Sequence, residues 1–199
     1  MGDMKIEKGF TLAELLIALL VTSIVLSAVA TLAHSLGKAN EVMREMGSKQ
    51  TQLRYTSVKL SELIKHCSLV CARDTDTIAV WRNDDNNDSQ INKNELVFIE
   101  TSPDRDFLRL REYSDTSVVA LSGVMGITGS TPSYTTLIAE CRNVTFHLDS
   151  EPPDTRFVSI SFEVFEGNAF HKYQISAGLR NGMENLVNQT GSGLIGDDD

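Results

Sequence analysis

Basic side chains are scarce in this chain: 18 Lys and Arg stand against 27 Asp and Glu, for a net charge of −9. Such a surface repels phosphate, and no basic patch with interleaved aromatics interrupts it, so nucleic acid is not an expected partner. Histidines are few and scattered, at His34, His66, His147 and His171, and none forms a ligand-spaced pair with a cysteine or aspartate. A Gly-x-Ser-x-Gly elbow and a phosphate-binding glycine loop are both missing. With no nucleophile, base or phosphate cradle in recognisable spacing, the expected role is not enzymatic.

Charge is also missing from one long stretch. Glu14 is the only charged residue between Phe10 and Ala33, and Leu15 to Ala33 is an apolar run without Gly or Pro before Ala30. At 1.5 Å per residue this run covers about 28 Å, close to a hydrocarbon core of about 30 Å. A plain single-span anchor would look like this. So would a secretory signal with Lys5 and Lys8 as its basic region and Ala28-Val29-Ala30 as its cleavage site. The length of the run and the acid at its start argue against the removed signal. An acid at mid-membrane costs about 3 kcal/mol, less near the interface, so Glu14 needs a reason to be there.

Gly9-Phe10-Thr11-Leu12-Ala13-Glu14, after a short leader bearing Lys5 and Lys8, resembles the prepilin signal of type IV pilins and type II secretion pseudopilins. The resemblance implies cleavage between Gly9 and Phe10 by a prepilin peptidase, N-methylation of Phe10, and retention of the apolar helix in the lipid bilayer. It also implies partners: other pilin or pseudopilin subunits and an inner-membrane assembly platform. Glu14 is then the assembly residue, paired with the Phe10 amine of a neighbouring subunit, because an unpaired charge in a packed apolar bundle is expensive. The implied location is a single pass of the inner membrane with a soluble domain in the periplasm, followed by a pseudopilus or cell-surface pilus. In layout the chain resembles the J-type (PilW-like) minor components. Two other readings stay open: a major fibre subunit, and a membrane-tethered calcium-dependent binding protein that does not polymerise.

Beyond the run, apolar or small residues recur at Ala39, Val42, Met46, Leu53, Leu60, Ile64 and Cys67, mostly at steps of three, four or seven. This spacing predicts one helix from about Phe10 to Cys71, with Gly37 and Gly47 as soft points. After Arg73 the pattern changes to strands: Ile78–Trp81, Leu96–Ile99, Phe107–Tyr113, Ser117–Leu121, then Val144 to Leu148, Val158 to Val164 and Phe170 to Ala177. Thr128–Tyr134 and Glu151–Thr155 read as loops. The expected fold is α+β, a long N-terminal helix packed on an antiparallel β-sheet, as in pilins. The expected divisions are a leader (1–9), a transmembrane and assembly helix (10–36), a soluble domain (37–185) and a flexible acidic tail (186–199).

A second motif lies inside the soluble domain. Asp84-Asp85-Asn86-Asn87-Asp88-Ser89-Gln90-Ile91-Asn92-Lys93-Asn94-Glu95 follows the twelve-residue EF-hand loop template. Asp84, Asn86 and Asp88 fall at positions one, three and five, the Gln90 carbonyl at seven, Asn92 at nine and Glu95 at the bidentate twelve. All are hard oxygen donors, which suits Ca2+ in a structural role. Ser89 departs from the template, which has Gly for a sharp turn. Strands rather than helices flank the loop, so the expectation is an EF-hand-like calcium loop within a hairpin over 77–100. The competing reading is an Asn/Asp-rich turn holding only water.

Cys67, Cys71 and Cys141 are the only cysteines. In an exported domain Cys141 could bridge to Cys67 or to Cys71, and three buried free thiols are the alternative.

Overall fold

The computed structural model describes residues 11–167 and 169–180. The leader, Phe10 and the 186–199 tail lie outside them. Helix α1 runs from Leu12 to His66 and continues through both Gly37 and Gly47. The chain divides into two compact units, Met1–Gly47 and Ser48–Asp199.

Eight strands follow among the described residues: β1 (Leu69–Asp74), β2 (Thr77–Trp81), β3 (Leu96–Thr101), β4 (Leu108–Tyr113), β5 (Pro132–Ile138), β6 (Cys141–Leu148), β7 (Phe157–Glu166) and β8 (Ala169–Gly178). The first five make an antiparallel meander in the order β1-β2-β3-β4-β5, and the last three a separate antiparallel sheet, β6-β7-β8. The fold is thus α+β and pilin-like, with the helix packed on antiparallel sheet. There are two sheets where the sequence suggested one.

The five-stranded sheet is buried on both faces. Val70, Ile78, Val80, Val97, Ile99, Leu108 and Leu110 join Leu53, Leu60 and Ile64 of α1 in one cluster, which the three-stranded sheet completes with Phe146, Val158, Ile160 and Phe162. Leu69, Cys71, Ala79, Trp81, Leu96, Phe98 and Tyr113 form a second cluster on the other face, closed by Ile91 and Val124. Burial on two faces is why β2 and β3 read as continuous apolar runs rather than alternations. At 25 cal/mol per Å² of apolar surface, side chains of this size each contribute about 1.5–3 kcal/mol when fully buried.

Three sequence expectations are corrected. The helix ends at His66, not Cys71; its last turn closes with Cys67 N–H donating to Leu63 O at 3.0 Å. Leu69 to Cys71 then pairs as β1, so Cys71 is on a strand and shares no helix face with Cys67. A short apolar run has no periodicity of its own, and the offer of two buried faces decides it. Pro132–Tyr134 belongs to β5, where Pro132 is tolerated as the first residue of an edge strand. Ser117–Leu121 is not a strand: Val118 makes one isolated bridge to Asn92, and a 3₁₀ turn follows at Leu121–Gly126. That segment covers the second cluster through Val119, Leu121 and Val124.

Candidate functional site

Thr11 precedes the first helical residue, and Glu14 is the third residue of the helix. The Thr11 N–H and its hydroxyl both donate to Glu14 Oε2 at 3.0 Å. Glu14 N–H donates back to Thr11 Oγ1 at 3.3 Å. This is a reciprocal capping box, which satisfies helix N-terminal donors that would otherwise be orphaned. The Thr-x-x-Glu spacing announces it, but the sequence reading weighed only the acid. Gly9 and Phe10 lie outside the described residues.

The apolar side chains that follow are exposed along the helix, among them Leu15, Leu19, Val25 and Leu32. Hydroxyls within the stretch are satisfied locally. Thr22 donates to Ala18 O at 2.6 Å, Ser23 to Leu20 O at 2.8 Å, Thr31 to Ser27 O at 2.9 Å and Ser35 to Thr31 O at 3.0 Å. These four hydroxyls thus spend their hydrogen bonds on their own helix, which suits a surface that meets hydrocarbon. By length and composition this helix can cross a membrane.

The second site is the loop between β2 and β3, whose hairpin register pairs Trp81 with Leu96. Its turn is tight: Asn87 and Ser89 have φ of 56° and 57°. Ser89 therefore adopts the left-handed backbone that the template reserves for glycine. Loop N–H groups fold onto the acids. Ser89 N–H donates to Asp84 Oδ2 at 2.8 Å, Asp88 N–H to Asp84 Oδ1 at 3.2 Å, and Gln90 N–H to Asp88 Oδ1 at 2.8 Å. The amides of Asn86 and Asn92 both reach Asp88 Oδ2, at 2.8 and 3.1 Å. These bonds, the Asn92 amide foremost, hold the Asp88 carboxyl below the usual carboxylate range.

Glu95 is only 1 % exposed. Its oxygens accept from Trp81 Nε1 at 3.0 Å, Asp85 N–H at 3.0 Å and Asn92 N–H at 3.2 Å. The last belongs to a capping box that starts the 3₁₀ turn Lys93–Glu95. A buried carboxylate is tolerated when N–H donors surround it, so Glu95 pins the loop closed. Trp81 is the partner that sequence reasoning missed. Among the described residues no group of three or more His, Cys, Asp or Glu side chains converges as a ready-made metal cluster. The loop instead gathers Asp84, Asn86, Asp88, Asn92 and Glu95 into one hydrogen-bonded turn.

Lys93 fastens this loop to the covering segment. Its ammonium donates to Asp115 Oδ2 at 2.8 Å and to Ser130 Oγ at 2.9 Å. The Lys93 ammonium, then the Ser117 and Ser130 hydroxyls, hold the Asp115 carboxyl far below its ordinary range. Farther along the same sheet Glu100 is clamped between Arg109 Nε and Arg111 Nε, each at 2.8 Å.

Cys67, Cys71 and Cys141 are free, buried thiols. Cys67 and Cys141 share the cluster around α1, whereas Cys71 is in the cluster on the opposite face of the five-stranded sheet. Burial pushes the Cys67 thiol up to about 12 and that of Cys141 up to about 11. Neither is a nucleophile at neutral pH.

Residues 4–30 match the family described as the prokaryotic N-terminal methylation motif. The match spans the acid, the capping box and most of the apolar run, and it marks a type IV pilin-like or pseudopilin precursor. It implies processing by a prepilin peptidase and assembly with other pilin subunits. No curated protein and no solved structure matches the chain.

Proposed function

We propose that this chain is a minor pseudopilin or pilin, a structural subunit of a type II secretion pseudopilus or type IV pilus. It is a peptidase substrate and not a catalyst. Cleavage frees the Phe10 amine, the apolar helix holds the subunit in the inner membrane with Ser48 onward in the periplasm, and a neighbour's amine neutralises Glu14 on assembly. One observation carries the reading: the methylation motif coincides with a capped helix whose apolar side chains are exposed. Lipid covers such a surface before assembly and other apolar helices cover it afterwards. The finer assignment to a J-type (PilW-like) minor component is supported by layout, a long helix leading into a large unit of two sheets.

Determining the mature N-terminus tests this. N-methylated phenylalanine at Phe10 is expected. A chain recovered with Met1 in place, or beginning at Thr31, overturns it.

Within this reading the β2–β3 loop is a structural calcium loop. Its support is the donor set at template positions and the left-handed backbone at Ser89. Asp84, Asn86, Asp88, Asn92 and Glu95 would hold the ion through side-chain oxygens and Gln90 through its carbonyl, after the Asn86 and Asn92 amides turn their oxygens inward and Glu95 exchanges some of its N–H donors for the ion. The ion would supply charge neutralisation among crowded carboxylates.

A further inference from the structure

Edges of β-sheets invite unwanted pairing, and proteins usually interrupt them. Among the described residues, three of the four sheet edges are interrupted. Strand β1 carries a bulge between Val70 and Ala72. Strand β5 begins at Pro132 and bulges at Leu137, whose carbonyl accepts from Thr56 Oγ1 at 2.7 Å and Gln52 Nε2 at 3.2 Å on α1. Strand β6 shifts register between Arg142 and Thr145, with Asn143 at φ 53°. Strand β8 is different. It pairs with β7 residue for residue, from Ala169 opposite Glu166 to Gly178 opposite Phe157, with no bulge and no proline. Among the described residues no strand lies on its other side.

The direction of its free main-chain groups follows from two bonds. Leu179 N–H donates to Arg156 O at 2.9 Å, so odd-numbered residues turn their polar groups to β7. Arg180 N–H donates instead to Lys65 O of α1 at 3.0 Å, so even-numbered residues face the helix. There a groove of about 360 Å³ opens between Gln174 and Ser176 on β8 and Ser57, Ser61 and Lys65 on α1. Its walls mix hydroxyl, amide and charge with the apolar side chains of Val58 and Ile175. The even-numbered N–H and C=O groups of β8 along this groove suit the main chain of an extended segment.

We propose that the β8 edge receives an extended segment of a neighbouring pilin-type subunit, added as a fourth strand to the sheet β6-β7-β8. This rests on the proposed function, which supplies the neighbour, and α1 forms both the groove wall and, upstream, the assembly helix. A tight hairpin return beginning at Arg180 is disfavoured as the occupant. Arg180 has spent on Lys65 the N–H that a tight hairpin return along β8 would need.

Photo-crosslinking the full chain in cells assembling fibres tests the proposal. A photoreactive residue replaces Lys172, exposed on β8 just outside the groove, or His147 on β6 as a control. The expected result is capture of another prepilin-type subunit from Lys172 and not from His147. Ser176→Pro removes one edge N–H without touching the β7 ladder, and should lower capture about three- to tenfold, the share of one hydrogen bond. Ser61→Arg fills the groove from the helix side, away from the strand, and should also lower it. Equal yields from Lys172 and His147, capture only of the chain's own residues 181–199, or full yield in both variants overturns the proposal. A third photoreactive site at Leu19 separates the two readings. Capture at Leu19 without capture at Lys172 sinks the edge and leaves assembly standing, while no capture at Leu19 removes the assembly reading and the edge with it.

Discussion

Leu19 and Leu60 lie on one helix and have opposite fates: 59 % of Leu19 is exposed, and Leu60 is fully buried. Around Leu60 the chain supplies its own partners, with Ile78, Val97 and Ile160 in the same cluster. Around Leu19 the apolar neighbours Leu15, Leu16, Leu20 and Leu26 are exposed too. The contrast teaches that apolarity specifies a demand for burial and not the means of meeting it. Residues 12–47 leave that demand to lipid and to other subunits, while the unit from Ser48 meets it internally.

The sharpest way to break the comparison is at the acid. Glu14→Ala should leave cleavage and membrane insertion intact and abolish incorporation into fibres, measured by subunit recovery in sheared fibres. Normal incorporation would mean that the first region needs no charge partner. Next is the contrast itself. Leu60→Ala should destabilise the unit from Ser48 by about 2–5 kcal/mol in urea melts of the full chain in detergent. Leu19→Ala should shift the same melt by less than about 0.5 kcal/mol, and an equal loss from both would erase the distinction.

Calcium sharpens the picture within the second region. At a hundred times its dissociation constant the ion should add about 2.7 kcal/mol to stability. Trp81 is the single tryptophan and its Nε1 bonds Glu95, so its fluorescence should report the titration. Glu95→Gln should abolish the response. A wild-type chain indifferent to millimolar calcium in both fluorescence and melting temperature defeats the calcium loop.

The smallest effect is on acid stability. The Asp115 carboxyl titrates lower in the fold than in the unfolded chain, chiefly because of Lys93. Its contribution is therefore complete above the unfolded value of about 4 and is lost as pH falls through the depressed one. Asp115→Asn should flatten this part of the melting curve below about pH 4 and leave its slope at neutral pH unchanged.

Legibility in the sequence followed the same divide. The apolar run, the acid and the hairpin around the Asx-rich loop were readable because helix-end signals, spanning length and turn chemistry are local. Strand β5 was not: Tyr134, Thr135 and Thr136 are exposed, so no apolar alternation betrays it, and Pro132 argues for a loop until its edge position is known. Strand β1 hid because Cys67 and Cys71 continue a four-residue helical step, and only the two clusters it feeds on opposite faces turn it into a strand. The seal on the loop was equally hidden, since nothing in the spacing of Trp81, Lys93, Glu95 and Asp115 says that they meet.

Sequence alone determined the signal, the apolar run and the hairpin around the Asx-rich loop, because each depends on residues adjacent along the chain and on contact with solvent or lipid. Tertiary structure decided where α1 stops, that the strands divide into two sheets, that Glu95 is enclosed by N–H donors, and that β8 keeps an unbroken edge. Those outcomes come from contacts between segments far apart in the chain, whose free energies local propensity does not contain.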